Sequence, residues 1–184
     1  MNIKDLEPLI VKWAKDKELI LHTQEQALKQ HGKTKEEVSE LLEAIAVYRS
    51  IEDVLSEGHP SYEEGDADDA LEAVKLESGD VLVTLVIQCA IAQGPDFERV
   101  IEDIGEELAW PNMPGEAMQQ IMMSAGIDNE LVWVACGQLA LWVERAIAPY
   151  NISLDEALEA TWLKIRDRQG KTVDGVFVKD GVAQ

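Results

Sequence analysis

Residues 77–91 read ESGDVLVTLVIQCAI and predict a helix at the centre of a bundle. The part from Val81 to Ile91 is apolar except for Thr84 and Gln88, so apolar side chains cover nearly every side of the helix. A helix of that kind is buried among other helices. Apolar spacing is helical almost throughout the rest of the chain, and strand signals are nearly absent. The sequence therefore predicts an all-α fold.

Thr23 with Gln26, and Ser153 with Glu156, have the spacing of helix-capping boxes. Helices are expected at Leu6–Ile20, from Thr23 to about Ile51, at Asp69–Gln93, Phe97–Leu108, Glu116–Ser124 and Glu130–Ile147, and from Ser153 to Gln169. A solvated loop is expected at Ser56–Asp69, a turn at Trp110–Gly115, and a short extended piece at Val176–Val178.

Length and composition favour one domain over residues 1–184 and exclude several functions. The chain has 184 residues, of which 46% are hydrophobic and 28% charged, as in an ordinary folded domain. Its formal net charge of −20 repels phosphate backbones and anionic lipids, so we expect no nucleic-acid and no membrane partner. Cys89 and Cys136 are too few for a disulfide framework, and Met1 to Glu18 does not resemble a signal peptide. A cytoplasmic location is expected.

The second predicted helix carries a charged cluster on one face. At about 100° per residue, five side chains fall within an arc of roughly 120°. They are Lys33, Glu36, Glu37, Glu40 and Glu43. Glu37 lies nearest the apolar edge, and Glu40 is one turn away, so their carboxylates can meet. A solvated face and a metal site both remain open for this helix alone.

The central helix repeats the acidic spacing. Glu77 and Asp80 are three residues apart, and Thr84 and Gln88 continue the same stripe into the apolar segment. Buried polar groups need hydrogen-bond partners. The stripe is therefore either a row of satisfied core groups or, as we favour, the wall of a pocket.

Antiparallel packing of these two helices would bring four carboxylates together. Two unit negative charges about 4 Å apart repel by roughly 4 kcal/mol at an effective dielectric near 20, so a cation or protons must be present. Oxygen ligands suit Mg²⁺, with Mn²⁺ as a substitute, whereas His22, His31 and His59 are too scattered for a zinc site. Because Mg²⁺ is commonly shared with phosphates, the cluster indicates a polyphosphate substrate such as a nucleotide.

Positive side chains cluster at the end of the last predicted helix. They are Lys164, Arg166, Arg168 and, further on, Lys171. Lys164 and Arg168 are four residues apart and would share one helix face. They are either a charge-balanced helix terminus or the groups that bind the phosphates.

The chain contains two acidic motifs, Lys33-x-x-Glu36-Glu37-x-x-Glu40-Leu41 and Glu77-Ser78-Gly79-Asp80-Val81-Leu82. They resemble the signature of the MazG-like all-α nucleoside triphosphate pyrophosphohydrolases, which is EExxE, a variable gap and then ExxD. Similarity extends upstream through Trp13-Ala14 and Gln30-x-x-Lys33, and downstream through residues 162–171 and 175–179. The downstream part looks most like small phage-type and bacterial members.

The resemblance implies a MazG-like helical bundle and Mg²⁺-dependent hydrolysis of a nucleoside triphosphate to the monophosphate and pyrophosphate. It implies metal ligands at Glu37, Glu40, Glu77 and Asp80, with Glu36 or Glu43 supporting the metal or orienting water. It assigns phosphate binding to Lys164, Arg168 and Lys171. Lys33 also belongs to the expected substrate site, and Trp13, Gln30, Thr84 and Gln88 are expected to line its nucleoside end. Since family members are dimers or tetramers, a homodimer or homotetramer is expected.

The chain also departs from the pattern of these proteins. Leu163 stands where related sequences tend to have Asn, and the segment Pro95–Tyr150 is a longer helical insertion than the family has. The insertion either completes the bundle within one chain or forms an oligomer surface. Two alternative functions remain open: a dUTPase or dCTPase of the same superfamily, and a non-catalytic acidic helical protein that binds cations or a partner.

Overall fold

A computed structural model describes residues 1–57, 64–104, 114–173 and 176–179. Within these ranges the chain is mostly helical, in agreement with the predicted all-α class, and adds one antiparallel β-hairpin. The helices are α1 (Ile3–Asp16), α2 (Gln24–Ser56), α3 (Glu64–Ile91), α4 (Phe97–Ile104), α5 (Gly115–Ser124), α6 (Asn129–Ile147) and α7 (Leu154–Ile165). Strands β1 (Gly170–Val173) and β2 (Val176–Lys179) pair with Thr172 opposite Phe177.

Helix α3 lies at the centre of the molecule. It packs against α1, α2, α6 and α7. Its apolar segment is buried as predicted, and Val81, Leu82 and Leu85 have no exposed surface. Burial of apolar surface contributes about 25 cal/mol per Å². Burial of this segment therefore stabilises the packing of the surrounding helices on α3.

Helices α2 and α3 run antiparallel. The Gln30 side-chain amide donates to the Thr84 carbonyl oxygen at 3.0 Å. Further along, Val47 of α2 lines the same small cavity as Ala70 of α3. Residue numbers rise along one helix as they fall along the other, so the acidic segments of both helices face each other.

Two predicted helix caps are present in the structure. The Thr23 hydroxyl oxygen accepts from the Gln26 backbone N–H at 3.1 Å and begins α2. Ser153 and Glu156 form the full reciprocal capping box at the start of α7. Each such cap contributes about 1 kcal/mol.

Helix ends differ more from the predictions. α1 stops at Asp16 rather than Ile20, because Glu18 adopts a positive φ of 57°. α7 stops at Ile165 rather than Gln169, because the chain turns there into the hairpin, where the Thr172 hydroxyl donates to the Lys17 carbonyl.

The acidic loop expected at 56–69 is shorter than predicted. α2 continues to Ser56 and α3 already begins at Glu64, so residues 64–69 are helical. Acidic side chains near a helix start interact favourably with its dipole. Residues 58–63, which include His59, lie outside the described ranges, as does most of the predicted turn at Trp110–Gly115.

The 95–150 segment forms α4, α5 and α6, which join the same core as the other helices. α6 packs against α3, α4 and α5, and Leu139 and Val143 are fully buried. In the part of the chain that is described, only Asn129–Tyr150 is long and apolar enough to cross a membrane. A buried core helix passes the same test of length and composition, so this stretch is weak evidence for a membrane span.

Candidate metal and phosphate site

Three carboxylates converge where α2 and α3 face each other. One oxygen from each of Glu37, Glu40 and Glu77 lies within 4.8 Å of the other two. These residues are called the acidic trio below. Glu37 is buried, Glu77 is half-buried and Glu40 is exposed, so the trio lies between core and solvent. Its oxygens could hold a metal ion of the kind that prefers carboxylate ligands.

Burial and neighbouring charge raise the pKa of the inner members of the trio. The pKa of Glu37 rises from 4.5 to about 7, first because burial disfavours the charged form. The Lys33 ammonium opposes this rise, whereas a hydrogen bond with Glu40 and the charge of Asp80 add to it. Burial, followed by the charge of Asp80, also raises the pKa of Glu77. The trio therefore favours either a bound proton or a bound cation.

Asp80, the fourth predicted metal ligand, is paired with a lysine and does not join the trio. Its Oδ2 accepts from the Lys164 ammonium at 2.7 Å. A second lysine contacts the cluster from α2, where Lys33 Nζ lies 2.7 Å from Glu37 and 3.1 Å from Glu36. Two lysines thus partly neutralise the acidic cluster.

Close packing of α7 on α3 positions one of these lysines. A Cβ atom on Gly79 would overlap the carbonyl oxygen of Ala157 and the hydroxyl of Thr161. The Thr161 hydroxyl donates to the Leu76 carbonyl oxygen at 2.9 Å. Since Lys164 lies one helical turn beyond Thr161, this contact directs Lys164 towards the acidic end of α3.

The acidic trio opens on a cavity of about 510 Å³. Its charged lining comprises the trio, Asp80, Lys29, Lys33, Lys164 and Arg168. Its apolar and aromatic lining comprises Trp13, Leu19, Val83, Ile87, Ile165, Phe177 and Val178. Ile87 lies two turns beyond Asp80, about 10 Å along α3, so the cavity extends from the acids towards an apolar region.

No family model, curated protein or solved structure matches this chain. Oxygen ligands, nearby cations and an adjoining apolar region suit a divalent cation together with an anionic small molecule.

Most of the predicted site residues line this cavity. They are Trp13, Gln30, Lys33, Glu37, Glu40, Glu77, Asp80, Thr84, Lys164 and Arg168. Arg168 reaches the cavity although α7 ends three residues before it, because the chain continues along the cavity towards β1. The shared helix face that was expected for Lys164 and Arg168 is therefore wrong, although both line one site.

Three other predicted residues lie beside the cavity or away from it. Glu36 is exposed and contacts Lys33, and Lys171 is exposed on β1. Glu43 lines a neighbouring cavity of about 290 Å³. Glu40 and Glu77 line both cavities, so part of the trio separates them.

Gln88 is placed in the core and not on the cavity wall. It is fully buried, and neither atom of its side-chain amide has a hydrogen-bond partner among the described residues. Thr84 does line the cavity, but its hydroxyl donates to the Val81 carbonyl at 2.7 Å. The polar stripe therefore contributes Thr84 to the cavity, whereas Gln88 is covered.

Sequence reasoning missed the aromatic contribution of the C-terminal hairpin. The Phe177 ring lies 5.6 Å from the Trp13 ring, measured between centroids, and Lys17 Nζ lies 5.4 Å from its centroid. The signal was a lone aromatic residue in a short extended segment. Lys29 was also missed, although it precedes Lys33 by one turn on the same helix face.

A larger cavity, of about 610 Å³, lies beside α1 and the start of α4. Charges of both signs line it, including Lys4, Lys15, Asp96 and Glu98. The half-buried carboxylate of Glu7 already accepts from the Phe97 backbone N–H at 2.8 Å. Among the described residues, the side chains that line this cavity do not converge on one point as those of the acidic trio do.

Proposed function

We propose that this chain is a MazG-like, Mg²⁺-dependent pyrophosphohydrolase of nucleoside or deoxynucleoside triphosphates. The reaction adds water across the bond between the α- and β-phosphates and releases the monophosphate and pyrophosphate. The observation that carries the proposal is the convergence of the acidic trio in a cavity that also contains Lys33, Lys164 and Arg168.

The donor set fits the metal. Every member of the trio offers oxygen, and the pKa of Glu37 is raised even though the Lys33 ammonium lies beside it, so a further positive charge would favour its ionised form. When bound there, Mg²⁺ would neutralise phosphate charge and lower the pKa of a water. Glu37, Glu40 and Glu77 would hold it, and Asp80 would join them once it is released from Lys164.

The cations and the remaining acids have separate tasks in this proposal. Lys164 and Arg168 neutralise the charge that develops on the leaving pyrophosphate. Glu36 and Glu43, which are exposed beside the trio, are the candidates for orienting water. Trp13, Gln30 and Thr84 face the nucleoside. The apolar lining near Trp13 suits a base better than it suits an inorganic phosphate chain.

Two alternatives give different results in one assay. A dUTPase or dCTPase of this superfamily would release pyrophosphate from one base only. A non-catalytic protein would bind Mg²⁺ or Mn²⁺ and release none. The experiment measures pyrophosphate and single phosphate from the common ribo- and deoxyribonucleoside triphosphates, with and without Mg²⁺. We expect Mg²⁺-dependent release of pyrophosphate, and release of single phosphate alone would contradict the proposal.

Substitution of one proposed metal-binding residue tests whether the activity depends on the acidic trio. Glu40→Gln removes the negative charge of one proposed metal ligand at an exposed position. It should lower pyrophosphate release by roughly a hundredfold or more, while the circular-dichroism spectrum stays helical. Glu144→Gln on α6 removes the same charge from an exposed position away from the cavity and should leave release unchanged. If Glu40→Gln retained most of its activity, Glu40 would not be a ligand.

A further inference from the structure

We propose that Lys164 and Lys33 act as exchangeable counter-cations of the acidic cluster, so that a divalent cation and a polyphosphate bind as a coupled pair. This inference rests on the proposed function because it names the form in which the substrate enters that site. It concerns binding and can be tested without turnover.

The Lys164 contact carries the inference furthest. Lys164 Nζ lies 2.7 Å from Asp80 Oδ2 and connects residues 84 positions apart in the chain. The Asp80 side chain is 15% exposed and the Lys164 side chain 37%. The carboxylate is therefore held in place, whereas the ammonium is at the cavity edge and has a flexible stem that lets it move.

Lys33 repeats this arrangement on α2. Its ammonium lies 2.7 Å from the buried carboxylate of Glu37 and 3.1 Å from the exposed carboxylate of Glu36. Lys33 and Lys164 both line the 510 Å³ cavity. Each lysine can therefore contact either a carboxylate or a ligand in the cavity.

The Lys164–Asp80 ion pair competes with the binding of ligands, because each of the two charges is already balanced by the other. While Lys164 pairs with Asp80, this carboxylate is less available to a divalent cation, and the ammonium is less available to a phosphate. A cation at the cluster would release Lys164, and a phosphate that binds Lys164 would release Asp80. By linkage, each ligand then strengthens the binding of the other by the same factor.

The first experiment uses Mn²⁺ alone, with free Mn²⁺ measured by electron paramagnetic resonance. Lys164→Met removes the competing ammonium, so we expect it to bind Mn²⁺ roughly tenfold more tightly than the wild type does, within the usual range of coupling. Lys12→Met removes the same charge from an exposed ion pair with Asp16 on α1 and should leave the affinity within about twofold. Equal or weaker Mn²⁺ binding by Lys164→Met would overturn the proposal.

The second experiment tests the reverse direction with inorganic tripolyphosphate in the presence of a chelator, by calorimetry. Asp80→Asn frees Lys164, so metal-free tripolyphosphate should bind roughly tenfold more tightly. Removal of a negative charge alone would also favour binding of an anion. The effect of Asp80→Asn is therefore measured both in the wild type and in the Lys164→Met variant. The gain should disappear in Lys164→Met, and an equal gain in both backgrounds would contradict the exchange.

The outcomes separate the two proposals. Coupled binding without pyrophosphate release would leave the exchange intact and overturn the catalytic function. Pyrophosphate release with unchanged Mn²⁺ affinity in Lys164→Met would leave the enzyme intact and overturn the exchange.

Discussion

Burial of Glu37 opposes the ionisation that its proposed role as a metal ligand requires. It is 6% exposed, and its nearest positive partner, Lys33, is itself at the surface of the cavity. The buried carboxylate accepts a proton up to about pH 7. A metal ligand must be ionised, so the proposed binding of a cation at Glu37 would depend on pH in the physiological range.

The stability of the metal-free protein should therefore fall as the pH rises from about 4.5 to about 7. Because the pKa of Glu37 is higher in the folded than in the unfolded state, the folded state binds more protons in this window. The whole effect is roughly 3 kcal/mol, because the pKa rises from 4.5 to about 7 and one pKa unit corresponds to 1.36 kcal/mol. Urea unfolding at both pH values measures it.

Glu37→Gln provides the comparison for that measurement. The variant cannot ionise at this position, so the part of the pH dependence that comes from Glu37 should be lost, and its stability at pH 7 should rise. An identical pH dependence in both proteins would assign the effect to other groups, of which Glu77 is the nearest with a raised pKa.

Gln88 shows what the sequence could not establish at the residue scale. Helical period places Thr84 and Gln88 on the stripe of Glu77 and Asp80, and this much follows from the chain alone. Which members of a stripe reach a cavity depends on the elements that cover it. Several of the helices that pack against α3, such as α1 and α7, come from distant parts of the sequence. The acidic pairs were predictable because each lies on one helix.

At the scale of elements, the close approach of α7 to α3 depends on Gly79. Gly79→Ala should lower the free energy of unfolding by about 1–3 kcal/mol, because the methyl group would meet the Ala157 backbone oxygen, which can move only with α7. It should also weaken the Asp80–Lys164 contact. Thermal and urea unfolding measure the stability.

Gly32 on α2 is the matched control for that substitution. A Cβ atom there meets nothing within 4 Å, so Gly32→Ala should stabilise the protein by roughly 0.5–1 kcal/mol through helix propensity. A similar gain for Gly79→Ala would mean that α7 does not pack as closely as described.

Caps were predictable and helix ends were not, for a physical reason. A cap such as Ser153 with Glu156 is a local set of hydrogen bonds between residues three apart, which the sequence displays directly. The end of α7 is set by the hairpin, whose Thr172 contacts Lys17 from the other end of the chain. The spacing of residues within one segment does not indicate such a long-range contact.

For the whole molecule, the net charge of −20 should make stability depend on salt in two distinct ways. Sodium chloride screens self-repulsion and should raise the Tm of the wild type and of Glu40→Gln alike. Mg²⁺ at matched ionic strength should stabilise the wild type further, by about 2.7 kcal/mol at a hundred times its Kd. Equal Mg²⁺ effects in both proteins would indicate diffuse counter-ions instead of a site.

The antiparallel pairing of α2 and α3 also predicts an order of assembly. The acidic trio is complete within residues 37–77, on two helices that follow each other directly, whereas the Asp80–Lys164 contact spans 84 residues. Closing the shorter of the two chain segments costs less chain entropy, by about 0.6 kcal/mol for each doubling of length, so its contacts are favoured earlier in folding. The carboxylates are therefore expected to meet before Lys164 arrives, so that their mutual repulsion slows the folding of the chain more than it speeds its unfolding.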